Sequence, residues 1–138
     1  MRFWDASAVV PLCLMQPTSA RVEALYGEDP GLVVWWGTPV ECGSAFARLR
    51  REGVLDLAAE EAALAALERL RCAWHEVQPT PVLWHHALRL LRVHPLRAAD
   101  ALQLAAALTW AGGPSPGELV TLDETLAAAA RLEGLPVV

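Results

Sequence analysis

Phe3-Trp4-Asp5-Ala6-Ser7-Ala8-Val9-Val10 is the stretch whose reading decides the fold. Arg2 to Trp4 reads as a short apolar strand, and Ala6 to Leu14 as a helix with Ser7 near its start. Asp5 stands at the join. A carboxylate in an apolar run is seldom buried unless it is paired or faces a cation. Asp5 therefore either caps the helix or meets something positive. The same join recurs near the far end, where Glu118-Leu119-Val120-Thr121 reads as a strand running into Leu122-Asp123. Helical Ala127 to Leu132 follows, so N-capping is the local reading of Asp123.

The chain between these joins alternates in the same way. Leu32-Val33-Val34-Trp35-Trp36 is β-branched and aromatic without alternation, the pattern of a strand buried on both faces of a parallel sheet. Before it, Thr18 or Ser19 is expected to cap a helix through Tyr26, and Gly27 to Gly31 is a turn. After it, Thr38 is expected as N-cap with Pro39 at the first helical position, and Glu41 falls at the capping-box position. That helix runs through Arg48, Arg50 and Arg51 to Gly53. Ala58 to Trp74 is the longest helical pattern, with Leu64, Leu67, Leu70 and Trp74 on one side. His75 to Gln78 reads as a third strand, and Pro81 to Val93 as a helix broken by His94-Pro95.

Leu96 to Trp110 is apolar on nearly every side, so this helix is expected to be buried. It carries Asp100 in its early turns, with Arg97 as the local partner. Gly112 to Gly117 reads as a Pro/Gly loop, Gly134 as a C-cap, and Pro136-Val137-Val138 as a last short strand. Strands alternating with helices predict a three-layer α/β fold, a central parallel sheet flanked by helices, in a single domain over residues 1–138.

Composition narrows the chemistry. Net charge is -5 and hydrophobic residues make up 54%. The acidic balance offers no general attraction to nucleic acid or to anionic membrane, and the apolar excess predicts surface to be covered in an oligomer or by a partner. All basic residues are Arg, and Lys, Asn and Ile are absent. Without Lys, P-loop nucleotide hydrolysis and Schiff-base chemistry are excluded. Cys13, Cys42 and Cys72 form no CxxC pair and read as buried thiols of a reducing cytosol. No apolar run is long enough to span a membrane, and Asp5 interrupts the place where a secretory leader would be apolar, so a cytoplasmic protein is expected.

Asp5 and Asp123 both sit where a strand gives way to a helix. In parallel sheets ligands bind at the carboxyl ends of strands. Asp100 in a buried helix and Glu41 at a helix start are then expected to join them. Four clustered carboxylates would repel one another and rise in pKa. Mg²⁺ or Mn²⁺ relieves this, because hard cations choose carboxylate and water oxygens. One or two such ions could activate a water for phosphodiester displacement. Cys72-Ala73-Trp74-His75 and His85-His86 lack zinc-like partners, and no GxSxG elbow is present.

These residues carry a resemblance. Asp-Ala-Ser-Ala-Val at 5–9, Pro-Val-Glu-Cys at 39–42 with Ala45 and Arg48 behind it, the run from Ala98 to Ala107 around Asp100, and Thr121 to Leu135 around Asp123 together resemble a PIN domain. More closely, the chain is similar to VapC-type toxins of bacterial toxin–antitoxin pairs, in the same order over essentially its whole length. The resemblance implies an Mg²⁺- or Mn²⁺-dependent endoribonuclease with Asp5, Glu41, Asp100 and Asp123 as its acids. Asp5 and Asp100 would be direct ligands, Glu41 and Asp123 would complete the site or orient the attacking water, and Ser7 would hold a metal-bound water. It also implies a homodimer or higher even oligomer, and a small antitoxin whose tail covers the site. Arg48, Arg50 and Arg51 are candidate RNA contacts, with a solvated helix end as the alternative. Other readings are a PIN nuclease of RNA processing without an antitoxin and a catalytically silent PIN binding domain. Haloacid-dehalogenase-like phosphatases would need an Asp at position 7, and both they and response-regulator receivers would need a Lys.

Overall fold

A computed structural model describes residues 1–112 and 117–138. The loop expected over residues 112–117 therefore lies mostly outside the described residues. The elements are β1 (Arg2–Trp4), α1 (Ala6–Cys13), α2 (Ser19–Glu28), β2 (Leu32–Trp35), α3 (Thr38–Arg51), α4 (Leu57–Arg71), β3 (His75–Val77), α5 (Pro81–Val93), α6 (Ala98–Ala111), β4 (Leu119–Val120) and α7 (Glu124–Leu132). The four strands form one parallel sheet in the order β3-β2-β1-β4. Phe3 pairs with Val33 on one side and with Leu119 on the other.

The run Leu32 to Trp35 does not alternate because both faces of the sheet are covered. Phe3, Val33 and Trp35 pack on one face with Leu90, Leu104 and Leu126 from α5, α6 and α7. Trp4, Leu32 and Val34 pack on the other with Val9, Val22, Phe46 and Leu67 from α1 to α4. Three layers result, as expected. α6 is the buried helix of the sequence reading: Ala101 and Leu104 to Ala107 are fully shielded. Among the described residues no helix is long and apolar enough to cross a membrane.

Four local expectations are corrected. Thr18 lies at the N-cap of α2 but makes no side-chain cap; buried Ser19 instead donates to Pro11 O and accepts from Gln16 N, tying α2 to α1. α3 begins one residue early, with Gly37 at its N-cap, because the buried Thr38 hydroxyl turns inward to α6 rather than to its own helix. The last strand, Pro136–Val138, shrinks to a single parallel bridge between Leu119 and Val137. The third strand is also one residue shorter than expected, and Gly53 ends α3 at φ +76°, a conformation that glycine adopts freely.

α6 packs against both α5 and β2. Leu104, fully buried at its centre, should cost about 2–5 kcal/mol when cut to Ala. Urea unfolding should show this as a lower midpoint at an unchanged slope.

Candidate active site

Parallel pairing of β1 with β4 brings their carboxyl ends to one edge of the sheet. Asp5 follows β1 and caps α1; its carboxylate accepts from Ser7 N at 3.1 Å and from the Ser7 hydroxyl at 2.8 Å. Asp123 follows β4 and caps α7, accepting from Leu126 N at 2.8 Å. The local capping reading holds for both. Capping uses only part of each carboxylate, and Asp5 is buried as well.

Ser7 clips the two joins together. Its hydroxyl donates to Asp5 Oδ1, accepts from Leu122 N at 2.8 Å, and lies 3.3 Å from the Thr121 hydroxyl. Thr121 Oγ1 in turn accepts from Asp123 N at 3.0 Å. The turn that carries Asp123 is thus fastened to the helix that begins at Asp5.

The other two acids come from helices. Asp100, in the first turn of α6, accepts from Arg97 N at 3.2 Å; the expected pairing with Arg97 runs through its backbone and not its guanidinium. Glu41, in the first turn of α3, makes no capping box. Its Oε1 accepts from the Gln103 side-chain amide at 3.0 Å, and that same amide donates to Thr38 Oγ1 at 3.2 Å. Asp100 and Asp123 line one cavity of about 390 Å³ with Pro95, Arg97 and Thr125.

The electrostatics join all four. Burial pushes Asp5 up to about 6, with the charge of Asp123 adding to the rise and the Ser7 bonds opposing it. Burial pushes Glu41 up to about 7, opposed by Gln103 and reinforced by Asp5 and Asp100. Asp100 is raised by burial and by Asp123, with its bond to Arg97 N opposing. Among the described residues none of the four is in an ion pair with Arg, and Glu41 Oε2, Asp100 Oδ1 and Asp123 Oδ2 accept no hydrogen bond.

This donor set fits a hard divalent cation: every group is a carboxylate, three keep an unused oxygen, and their mutual repulsion is what a cation removes. Among the described residues no three His, Cys, Asp or Glu side chains stand close enough to share an ion as they are.

The remaining candidates lie elsewhere. Arg48, Arg50 and Arg51 close the C-terminal end of α3, about 10–15 Å along the helix from Glu41 at 1.5 Å per residue. Arg50 is paired with Glu60 of α4. Arg97 is the arginine that lines the acidic cavity. Cys42 is buried, while Cys13 is partly and Cys72 fully exposed, so the expectation of three buried thiols is corrected. Burial pushes the Cys13 thiol up to about 12 and raises Cys42 also, which makes both poor nucleophiles. Gln103 and Thr121 were missed by the sequence reading. The available signal for Gln103 was a polar residue in an otherwise apolar helix, three positions after Asp100.

Solved structures place this architecture. VapC20 of Mycobacterium tuberculosis, a sarcin–ricin loop cleaving toxin, superposes with a TM-score of 0.70 at 18% identity over 94% of this chain and 95% of its own. PAE2754 from Pyrobaculum aerophilum gives 0.68 at 23% over 99% and 83%. A toxin–antitoxin complex from Klebsiella pneumoniae gives 0.67 at 16% over 100% and 96%. The chain has a PIN-like fold. At these identities the likeness is one of fold, and no protein-family model and no curated protein matches the sequence. Within the PIN-like fold the four acids of this chain occupy the carboxyl edge of the sheet and the helix starts above it.

A pH prediction follows from the raised acids. Asp5 (ordinarily 3.8) and Glu41 (ordinarily 4.5) hold their protons more tightly folded than unfolded, so the stability they contribute is present at low pH and is lost as pH rises through about 6 to 7. Glu133, held down to about 2 chiefly by Arg89, acts oppositely and only below its ordinary 4.5. Chelator-treated protein should therefore melt at a lower temperature at pH 8 than at pH 5. Glu41→Gln should flatten that profile and raise the melting temperature at pH 8, checked by thermal melts across the range.

Proposed function

We propose that this chain is an Mg²⁺- or Mn²⁺-dependent endoribonuclease acting as the toxin of a toxin–antitoxin module. The observation that carries the reading is the group of four carboxylates delivered by four different elements, Asp5, Glu41, Asp100 and Asp123, with no arginine paired to any of them among the described residues. Such a group is costly to maintain for the fold alone. The likeness to VapC20 and to the Klebsiella toxin–antitoxin complex supports the RNA substrate and the antitoxin partner.

Asp5 and Asp100 are assigned as direct ligands of the ion, and Glu41 and Asp123 as the groups that complete the site or orient water. A bound Mg²⁺ or Mn²⁺ would polarise a phosphodiester oxygen and acidify a bound water. The chain's own residues do the rest. Ser7 fixes the Asp5 carboxylate through two donors, and the Arg97 and Leu126 backbone amides fix Asp100 and Asp123. Glu41 Oε2, half-buried and free of donors, is placed to accept a proton from an attacking water. Arg97, beside Asp100 and Asp123, offers the phosphodiester a positive charge within an otherwise acidic cavity.

The apolar excess supports assembly. Trp84, Leu88 and Leu91 of α5 are 56%, 43% and 37% exposed, and their helical spacing makes one apolar stripe suited to a homodimer. An antitoxin with a basic tail would match the acidic cavity.

Purified protein should cleave single-stranded RNA with Mg²⁺ or Mn²⁺ and not with EDTA. Asp5→Asn and Asp100→Asn should each lower the rate by roughly 100-fold or more, the least that losing an acid–base or electrostatic group at the reacting centre costs. Cleavage that persists in EDTA and in both variants contradicts the proposal.

A further inference from the structure

Gln103 is almost wholly buried in α6, 1% exposed. Among the described residues its carbonyl oxygen Oε1 has no hydrogen-bond partner. For the fold alone this is a poor choice, because an unsatisfied buried acceptor opposes folding and a methionine of similar shape would avoid it. The other end of the side chain is fully used. Nε2 donates to the buried Thr38 hydroxyl at 3.2 Å and to Glu41 Oε1 at 3.0 Å. Both bonds leave α6 for α3. A carboxylate only accepts hydrogen bonds, so the charge on Glu41 dictates which way the amide faces.

The position has a second meaning. Gln103 follows Asp100 by three residues, so both lie on one side of α6. One amide thus links the helix that bears Asp100 to the side chain of Glu41. Glu41 is repelled by Asp5 and by Asp100, and it stands near solvent, to which a three-torsion side chain would turn if nothing held it. The Gln103 bond ties down Oε1 and leaves Oε2 free of donors among the described residues. Thr38, itself held in the core, fixes the amide from its other side.

We infer that Gln103 is a positioning residue: it holds Glu41 among the other carboxylates against their repulsion, and so sets the affinity of the site for a divalent cation. The inference rests on the metal-dependent reading above.

The test is Mn²⁺ binding by calorimetry to chelator-stripped, dialysed full-length protein, with metal-free melting temperature measured on each variant. Gln103→Met should weaken Mn²⁺ binding roughly 10-fold, the low end of what losing a partner behind a metal ligand costs. Its metal-free melting temperature should change little, because the loss of the orphaned oxygen offsets the loss of the donor to the buried Thr38 hydroxyl. Glu41→Gln should weaken binding as well, and the double variant should bind no more weakly than Glu41→Gln alone. A residue that merely packs would lower the melting temperature and leave Mn²⁺ binding unmoved. Should Gln103→Met fail to fold, Thr38→Val, which removes one anchor of the amide, should weaken binding in the same direction. Wild-type binding that Asp100→Asn abolishes and Gln103→Met leaves intact overturns the role of Gln103 alone. A further tenfold loss in the double variant also overturns it. Wild-type protein that binds no Mn²⁺ overturns the metal-dependent reading and this inference with it.

Discussion

Like charge held together in a dry setting is the constraint on which this structure turns. Burial raises the proton affinity of Asp5, Glu41 and Asp100, and neighbouring carboxylate charges, that of Asp123 among them, raise it further. Each would be lower in energy in water. The fold opposes this with rigid supports: the parallel pairing of β1 and β4, the Ser7 clip between their ends, and the amides of Arg97, Leu126 and Gln103. Ser7 and these amides donate hydrogen bonds to the carboxylates, and none of them carries a full positive charge. The site is therefore oriented but not neutralised, which is the condition in which a cation binds with the largest gain.

The architecture follows from serving that edge. Two short strands need a sheet covered on both faces to be stable, and the two apolar clusters on its faces supply it. The middle of α6 is buried because the helix brings Asp100 over the end of the sheet while its remaining length packs against β2 and α5. The charge balance of the whole chain follows a different logic. The Arg48–Arg51 group lies at the far end of α3, partly engaged with Glu60, whereas Arg97 is the cation in the acidic cavity.

Much of this was legible in the residues, for physical reasons. The unalternating Leu32 to Trp35 run announced a strand covered on both sides, and the near-continuous apolarity of Ala98 to Ala107 announced a buried helix. Asp5 and Asp123 were recognisable as a pair because both stand at a strand-to-helix join, and in a parallel sheet such joins share an edge. Glu41 was less legible. Its distance from Thr38 matched a local capping box, and only the packing of α6 across the start of α3 diverts both side chains to Gln103. That contact spans 62 residues of sequence, and no local pattern encodes it. Ser19 misled in the same manner: its hydroxyl serves a contact with α1 and not the helix it opens. The residues misread are those whose polar groups look across elements rather than along them.

The central claim is that these four carboxylates share one divalent-cation site. Its most direct test is a crystal of the protein soaked in Mn²⁺, read by anomalous scattering at the manganese edge. The account predicts one or two peaks bounded by Asp5, Glu41, Asp100 and Asp123, with carboxylate oxygens at about 2.1 Å, the approach that octahedral oxygen ligation of an ion of this size requires. Manganese bound only at other carboxylates, or absent from this edge of the sheet at saturating concentration, would contradict it.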